Sequence, residues 1–305
     1  MRRREMLLST GAALAGLSAF PLRCVTGQGN QPKKKVLYFT RSAGFEHEAV
    51  KRTGGELSES EKVLTELGAK NGFAVECTKD GSAFNDPDNL RKFDVIAFYT
   101  SDDLTKPCNQ PGAAMSKEGL RNFLAAVKGG VGFVGFHACT DSFRSPGKQI
   151  SGYTALVGAE FVSHGPPQEA TMKIASPDFP GIKELRSRFN VGESFKLAEE
   201  WYAQQKFSQD THVILVQETK GMTGDCYQRP PFPATWARKH GEGRVFYTSL
   251  GHGPIAVGGR QYDVWKEPLV HEIILGGLRW ASRLVDFDPK PNISEVTPKA
   301  SQMHY

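Results

Sequence analysis

The stretch VGFVGFHACTD, from Val131 to Asp141, decides the fold and points to a functional site. Its first half is an apolar run of the kind that forms a buried strand, and His137 stands where that strand ends. In open α/β sheets the carboxyl ends of the strands form the ligand crevice. A sharp turn flanked by small residues exposes one side chain in elbow-type catalytic sites. The segment therefore predicts a site centred on an imidazole, although it does not name a reaction.

The flanking sequence predicts strands that alternate with helices. Ser58 to Glu61 form a capping box that begins one helix, and an apolar stripe from Leu120 to Val127, ending at Gly129, indicates a second. This alternation is typical of an open, mostly parallel α/β sheet with helices on both faces. The predicted strands of this half are residues 35–40, 73–77, 93–99 and 131–134.

The second half of the chain is richer in strands. Residues 170–174 and 213–216 are predicted strands, and two more flank residues 241–243, which predicts a β-hairpin. Pro268 is predicted to open the last helix. We therefore expect one domain over residues 35–285 with β-hairpin additions. Residues 286–305 contain little apolar sequence and are expected to form an extended tail.

The N-terminal residues have the features of an export signal. Three arginines precede Met6-Leu7-Leu8 and a short apolar run, an arrangement similar to a twin-arginine signal. We expect residues 1–27 to be this signal with its cleavage region, residues 28–34 to be a linker, and the protein to be exported to the periplasm. A membrane anchor is the alternative, but the run is shorter than the roughly 20 residues that span a bilayer. Cys24 raises a lipoprotein alternative, which the poor lipobox before it disfavours.

Composition excludes some classes of function. Removing the leader takes four arginines and one glutamate, so the formal charge of +5 falls to about +2. Such a chain lacks the basic footprint of a nucleic-acid binder, and no later segment is apolar enough to span a membrane. The remaining four cysteines form no C-x-x-C pair, so a cysteine-rich zinc site is not expected, and the sequence does not give a disulfide pairing. Assembly into a homo-oligomer stays open.

Histidines at predicted strand ends are the most informative residues, namely His47, His137, His164 and His252. A lone histidine in such a place is often a hydrogen-bonded structural residue. Four at one edge of a sheet predict that at least two share a pocket. Neutral imidazole suits zinc, although no H-E-x-x-H or H-x-H spacing is present.

Carboxylates accompany these histidines in two places. Asp141 lies four residues after His137, where it could orient that imidazole or could cap a helix. The segment Glu199-Glu200-Trp201-Tyr202 combines acids with aromatic rings, a common way to hold a sugar. The alternative is a strand-edge acid pair with Trp201 in the core. Cys139 is expected to be a buried, inert thiol.

Six ordered motifs resemble those of the ThuA-like (trehalose-utilisation) family, whose fold is similar to class I glutamine amidotransferases. They are TRSAGFEH (40–47), FYT (98–100), GFVGFH with DSF (132–143), LVGAEF with His164, EEWY (199–202) and RVFYTSLGH (244–252). The resemblance covers residues from about Lys35 to Trp280 and implies an open, flavodoxin-like sheet. Amidotransferases carry a catalytic cysteine within G-x-C-x-G where this chain has His137, so glutamine hydrolysis is not expected.

The resemblance also implies a carbohydrate substrate, because the family is associated with disaccharides and their 3-keto forms. A keto-sugar hydrolase or lyase needs a base, an acid and a group that polarises the carbonyl. On this interpretation the catalytic residues are His137, Asp141 and Glu200. The substrate-binding residues are Arg41, His47, Trp201 and Tyr202. The candidate zinc ligands are His137, His164 and His252. The alternative is a non-catalytic sugar-binding or accessory protein on the same scaffold.

Overall fold

The structure is a computed structural model that describes residues 33–302. The predicted export signal of residues 1–27 and most of the predicted linker 28–34 lie outside the described residues. Lys34, which the prediction placed in the linker, already belongs to the first strand.

A large mixed sheet organises the described part of the chain. Its strands come from this series: β1 Lys34–Phe39, β2 Phe73–Thr78, β3 Val95–Phe98, β4 Gly132–Phe136, β5 Glu160–His164, β6 Gln168–Ile174, β7 Ser194–Glu199, β8 Tyr202–Gln205, β9 His212–Gln217, β10 Phe232–His240, β11 Gly243–Thr248, β12 Pro254–Val257 and β13 Arg260–Asp263. Nine strands form one sheet in the order β2-β1-β3-β4-β11-β10-β9-β6-β7. Seven of the nine run in one direction, because only β10 and β6 oppose their neighbours. This confirms the open, mostly parallel sheet.

Helices cover both faces of this sheet, as predicted. They are α1 Glu59–Lys70, α2 Pro87–Leu90, α3 Lys117–Lys128, α4 Gly152–Val157, α5 Ile182–Phe189, α6 Pro268–Ala281 and α7 Ile293–Val296. The ring of Phe133 in β4 packs on Phe123 of α3 with centroids 5.6 Å apart. A Cβ on the preceding Gly132 would instead point at Ala281 of α6. Successive residues of a strand face opposite sides, so α3 and α6 lie on opposite faces.

Local sequence signals set where the elements begin and turn. Glu61 N–H donates to Ser58 Oγ at 3.4 Å, and Ser58 N–H donates to the Glu61 carboxylate at 2.9 Å, which closes the predicted capping box of α1. Strands β10 and β11 pair antiparallel around Gly241, whose φ is +60°. The predicted hairpin is therefore confirmed, and glycine stands where the turn needs a positive φ.

Two short antiparallel pairs lie outside the main sheet, β5 with β8 and β12 with β13. In the first pair His164 is opposite Tyr202. The Tyr202 ring lies 4.1 Å from the ring of His137, which follows β4. The pair therefore brings residues from the second half of the chain to the carboxyl end of the parallel strands.

The C-terminal segment differs from the extended tail predicted for residues 286–305. It contains α7, so α6 is not the last helix, and Ile293, Thr297 and Ala300 are buried. The Val213 N–H of β9 donates to the Asn292 side chain at 2.6 Å. The prediction counted apolar residues, whereas amide hydrogen bonds and a few buried side chains hold this segment on an existing core.

Two other expectations concern membranes and thiols. Within residues 33–302, no helix has both the length and the apolar character that crossing a bilayer requires. The cysteines of this range are free: Cys77, Cys108, Cys139 and Cys226. Cys139 is fully buried, and burial raises the pKa of its thiol far above the usual range. It therefore lacks the thiolate character of an activated nucleophile.

Candidate functional site

His137 is the first residue beyond β4 and begins a short 3-10 helix, His137–Asp141. Its φ of +40° lies in the left-handed region, and the residue is fully buried. The Tyr247 hydroxyl donates to the His137 carbonyl oxygen at 2.8 Å, which supports the turn. Such a backbone costs about 1–3 kcal/mol in a non-glycine residue and persists only where its surroundings enforce it, often at functional sites.

The tautomer of His137 is fixed by its neighbours. Nδ1 lies 2.7 Å from the carbonyl oxygen of Ser249, which can only accept, so Nδ1 carries the proton. Nε2 of the neutral ring is therefore unprotonated and carries a lone pair. Among residues 33–302 it has no hydrogen-bond partner; it is buried and lies 3.6 Å from Oε2 of Glu200. Two proton acceptors thus face each other across a short gap.

Two further imidazoles surround His137. His47 lies in the loop after β1, and His252 lies in the loop after β11. The ring centroids are 4.9 Å apart for His47 and His137, 5.1 Å for His47 and His252, and 5.4 Å for His137 and His252. Each pair meets edge to face. The structure therefore brings three of the four predicted strand-end histidines together at the carboxyl edge of the parallel strands.

Glu200 is the carboxylate of this cluster, which we call the His47–His137–Glu200–His252 cluster. It directly follows β7 and is only 8% exposed. Its Oε1 lies 3.6 Å from Nε2 of His252 and 3.2 Å from Nδ1 of His164. The His164 side chain is 43% exposed, so it forms the rim of the cluster and not its buried centre.

Burial keeps the central imidazoles neutral. It lowers the pKa of His137 to about 3. Burial, together with repulsion from His137 and His252, lowers the pKa of His47 to about 2. The pKa of His252 falls to about 4, again chiefly through burial. At neutral pH these rings therefore offer lone pairs to a hydrogen-bond donor or to a metal ion.

Glu199 supports the cluster from behind, a role that the sequence did not reveal. It is fully buried, and its Oε2 accepts from the N–H groups of Gly251 at 2.8 Å and His252 at 3.4 Å. Its Oε1 accepts from the Glu200 N–H at 2.8 Å. Burial raises the pKa of Glu199 to about 8. One carboxyl group thereby positions the backbone of both Glu200 and His252.

Two tyrosines form the wall of the cluster. Tyr202, a predicted substrate-binding residue, is buried, and its hydroxyl lies 3.3 Å from Nε2 of His47. Tyr99 was not predicted, and its hydroxyl donates to the His252 carbonyl oxygen at 3.3 Å. The signal for Tyr99 was its place at the end of β3, between the strands that lead to His47 and His137.

Three residues predicted for the site lie elsewhere or have other partners. Trp201 is fully buried and donates from Nε1 to the Gln168 carbonyl oxygen at 2.8 Å, so its ring cannot stack on a sugar. Arg41 is buried, and its guanidinium donates to the carbonyl oxygens of residues 79, 111 and 112. Asp141 pairs with Arg144. Because the Ser249 carbonyl holds Nδ1 of His137, Asp141 does not orient that ring.

The exposed aromatic ring beside the cluster is Phe45, which the sequence did not single out. It is 70% exposed, and its ring meets that of His47 edge to face with centroids 4.9 Å apart. A large apolar side chain exposed to this degree next to buried polar groups is available to a ligand. The signal was present in the motif AGFEH, in which Phe45 stands two residues before His47.

A metal ion would find its ligands in one part of this cluster. His47, Glu200 and His252 each offer a ligand atom, and these atoms lie within 4.8 Å of one another. Of the three predicted zinc ligands, only His252 belongs to this group. His137 faces Oε2 of Glu200, and His164 faces the same Oε1 as His252, but neither belongs to the group of three. The predicted set therefore changes, with His47 and Glu200 in place of His137 and His164.

Replacing Glu199 by glutamine tests its positioning role. The amide keeps the size of the side chain but replaces one accepting oxygen with an NH2 group. This donor faces a backbone N–H, so we expect the free energy of unfolding to fall by about 1–3 kcal/mol. The exposed Glu76→Gln is the matched control and should stay within about 0.5 kcal/mol. Denaturant unfolding measures both, and equal stability of the two variants would contradict the role.

Comparison with known proteins agrees with this fold. A family model described as ThuA, trehalose utilisation, matches residues 35–281. A ThuA-like protein from Bacteroides uniformis ATCC 8492 is 20% identical, with a TM-score of 0.56 over 82% of this chain and 91% of its own. One from Parabacteroides merdae ATCC 43184 is 16% identical, with a TM-score of 0.59 over 85% and 92%. No curated protein matches the chain. Since the family model spans most of the sequence, the chain belongs to the ThuA family, described as trehalose utilisation.

Proposed function

We propose that the protein is an exported carbohydrate-processing enzyme that acts on a disaccharide or glycoside, including forms oxidised to a ketone at carbon 3. The observation that carries this proposal is the buried lone pair of His137 Nε2, 3.6 Å from the Glu200 carboxylate. Export is supported by the twin-arginine-like leader of the sequence. The substrate class is supported by the description of the family as trehalose utilisation.

His137 and Glu200 act together as a base. Alone, the imidazole is weak, because burial lowers its pKa to about 3. When the pair takes up a proton, however, Nε2 and Oε2 share it. The two acceptors, which faced each other without a hydrogen bond, are then joined by a charge-assisted one. Both groups of the pair therefore hold the proton at once.

A 3-keto sugar offers a proton that such a pair can remove. The ketone acidifies the C–H bond at carbon 2, so the base takes this proton and the bonding electrons form an enolate. The glycosidic bond at carbon 1 then breaks, and its electron pair leaves on the oxygen. The proton held by the pair returns to that oxygen, which gives an alcohol and an unsaturated ketone. Water added across the double bond completes a hydrolysis.

The rim of the cluster suits a sugar. The exposed ring of Phe45 offers a flat apolar surface to the C–H face of a pyranose, in place of Trp201. His164 is exposed enough to contact hydroxyl groups. These features orient the sugar with its reacting carbon towards Glu200.

His137→Asn tests the catalytic pair. Asparagine tolerates the left-handed backbone and can still donate to the Ser249 carbonyl, but it removes Nε2. Turnover of 3-keto disaccharides should fall by at least about 100-fold. The control His240→Gln, in the β10–β11 hairpin, should keep wild-type turnover. Unchanged turnover in His137→Asn would remove this residue from the mechanism.

Sugar binding without product in the wild type would favour the alternative, a non-catalytic sugar-binding protein.

Phe45→Ala tests the sugar surface. We expect KM to rise by about 3- to 10-fold with kcat little changed, because the substitution removes apolar contact with the substrate but no group of the reacting pair. Phe45→Tyr should restore the wild-type KM, and Phe189→Ala, which removes another partly exposed ring, should leave it unchanged. A KM that is the same in Phe45→Ala and in the wild type would exclude Phe45 from substrate binding.

A further inference from the structure

We propose that His47, Glu200 and His252 form a divalent-cation site, with zinc as the metal that fits best, and that a fourth coordination position faces the sugar. This inference deepens the proposed function and rests on it for the role of the metal in turnover. Binding of the metal can be measured without turnover.

The three donors come from loops that are far apart in sequence. His47 follows β1, Glu200 follows β7 and His252 follows β11, and their ligand atoms lie within 4.8 Å of one another. The His252 Nε2 and Glu200 Oε1 are 3.6 Å apart. Two ligands of one tetrahedral zinc ion, each about 2.0–2.1 Å from the metal, are separated by roughly 3.4 Å. The donors therefore need only small movements to share one ion.

Unpartnered nitrogens mark the same place. The Nδ1 atoms of His47 and His252 are buried, and no described residue forms a hydrogen bond with them. Buried polar atoms usually have partners, because an unpaired one costs about 1–3 kcal/mol. Nδ1 of His47 is therefore open to an ion, whereas His252 would bind the ion through Nε2, which lies 3.6 Å from Oε1 of Glu200.

The charge of Glu200 points to a cation. The ion-pair partners of Glu200 among residues 33–302 are all histidines, namely His137, His164 and His252. In that range no lysine or arginine lies within 4.0 Å of its carboxylate. A buried carboxylate needs a compensating charge, and a divalent ion between Glu200 and neutral imidazoles supplies it.

The donor set favours zinc and leaves the catalytic pair intact. Two imidazoles and one carboxylate form the ligand type of catalytic zinc sites, in which the fourth position takes water or substrate. Oε1 of Glu200 lies on the side of His252, whereas Oε2 faces Nε2 of His137. Glu200 would thus bind the ion through one oxygen and keep the other beside His137.

Titration of the chelator-treated protein with Zn²⁺ against a chromophoric competitor tests this site. We expect one ion per chain. His47→Gln and His252→Gln should each weaken binding by more than the roughly 10- to 100-fold that loss of an outer-shell partner costs. His240→Gln should bind like the wild type. His164→Gln removes an outer-shell contact to Glu200 and should lose no more than that roughly 10- to 100-fold, which separates this ligand set from one that includes His164 as a direct ligand. Circular dichroism and thermal unfolding of each variant show whether it is folded.

Co²⁺ gives a second readout that does not depend on stability. Its visible absorption should report a four- or five-coordinate site in the wild type and should change in shape in folded His252→Gln. Absence of stoichiometric Zn²⁺ binding in the wild type, or unchanged affinity in both His47→Gln and His252→Gln, would overturn the proposal. Stoichiometric zinc without turnover of any sugar would keep the metal site and reject the proposed function. Full turnover after complete chelation would reject the role of the metal in turnover but keep the proposed function.

Discussion

The hydrogen bond from His137 Nδ1 to the Ser249 carbonyl oxygen is the interaction on which the site depends. It follows directly from strand pairing: Phe136 of β4 is opposite Thr248 of β11 in a parallel ladder, and His137 and Ser249 are the next residues. The register of two core strands therefore fixes the tautomer of the buried imidazole. Because the proton of the neutral ring is on Nδ1, Nε2 is unprotonated and its lone pair faces Glu200.

This lone pair is buried, and few positively charged side chains lie near it. Three neutral imidazoles and one carboxylate meet at a place where the protein supplies backbone contacts but no ammonium or guanidinium among the described residues. Glu199 directs the Glu200 and His252 backbones towards this point from the rear. The arrangement is costly for the isolated chain, and this cost is relieved when a proton, a hydroxyl group or a cation enters. Unpaired buried polar atoms of this kind do not stabilise the fold, and they are the reason why we propose that the cluster binds a ligand.

Much of the fold was predictable from sequence because its signals are local. The capping box at Ser58, the turn at Gly241 and the buried run of β4 each depend on a few neighbouring residues. The convergence of His47, His137 and His252 was also predictable, because parallel strands end at one edge. The direction of individual side chains was not. Glu199 and Glu200, like Trp201 and Tyr202, are adjacent in sequence, yet in each pair one supports the core or backbone and the other reaches the cluster. Arg41 and Asp141 have other partners for a related reason: Nη1 of Arg41 donates to carbonyl oxygens distant in the chain, and Asp141 pairs with Arg144 three residues later.

Long-range ¹H–¹⁵N spectra of the histidine side chains, recorded on metal-free protein from pH 7.5 to pH 5, test the central claim most directly. The structure predicts that His137 stays neutral across this range, with its proton on Nδ1 and an unprotonated Nε2. A His137 ring that carries its proton on Nε2, or that becomes charged near pH 6, would contradict the account. In either case the lone pair that faces Glu200 would not exist.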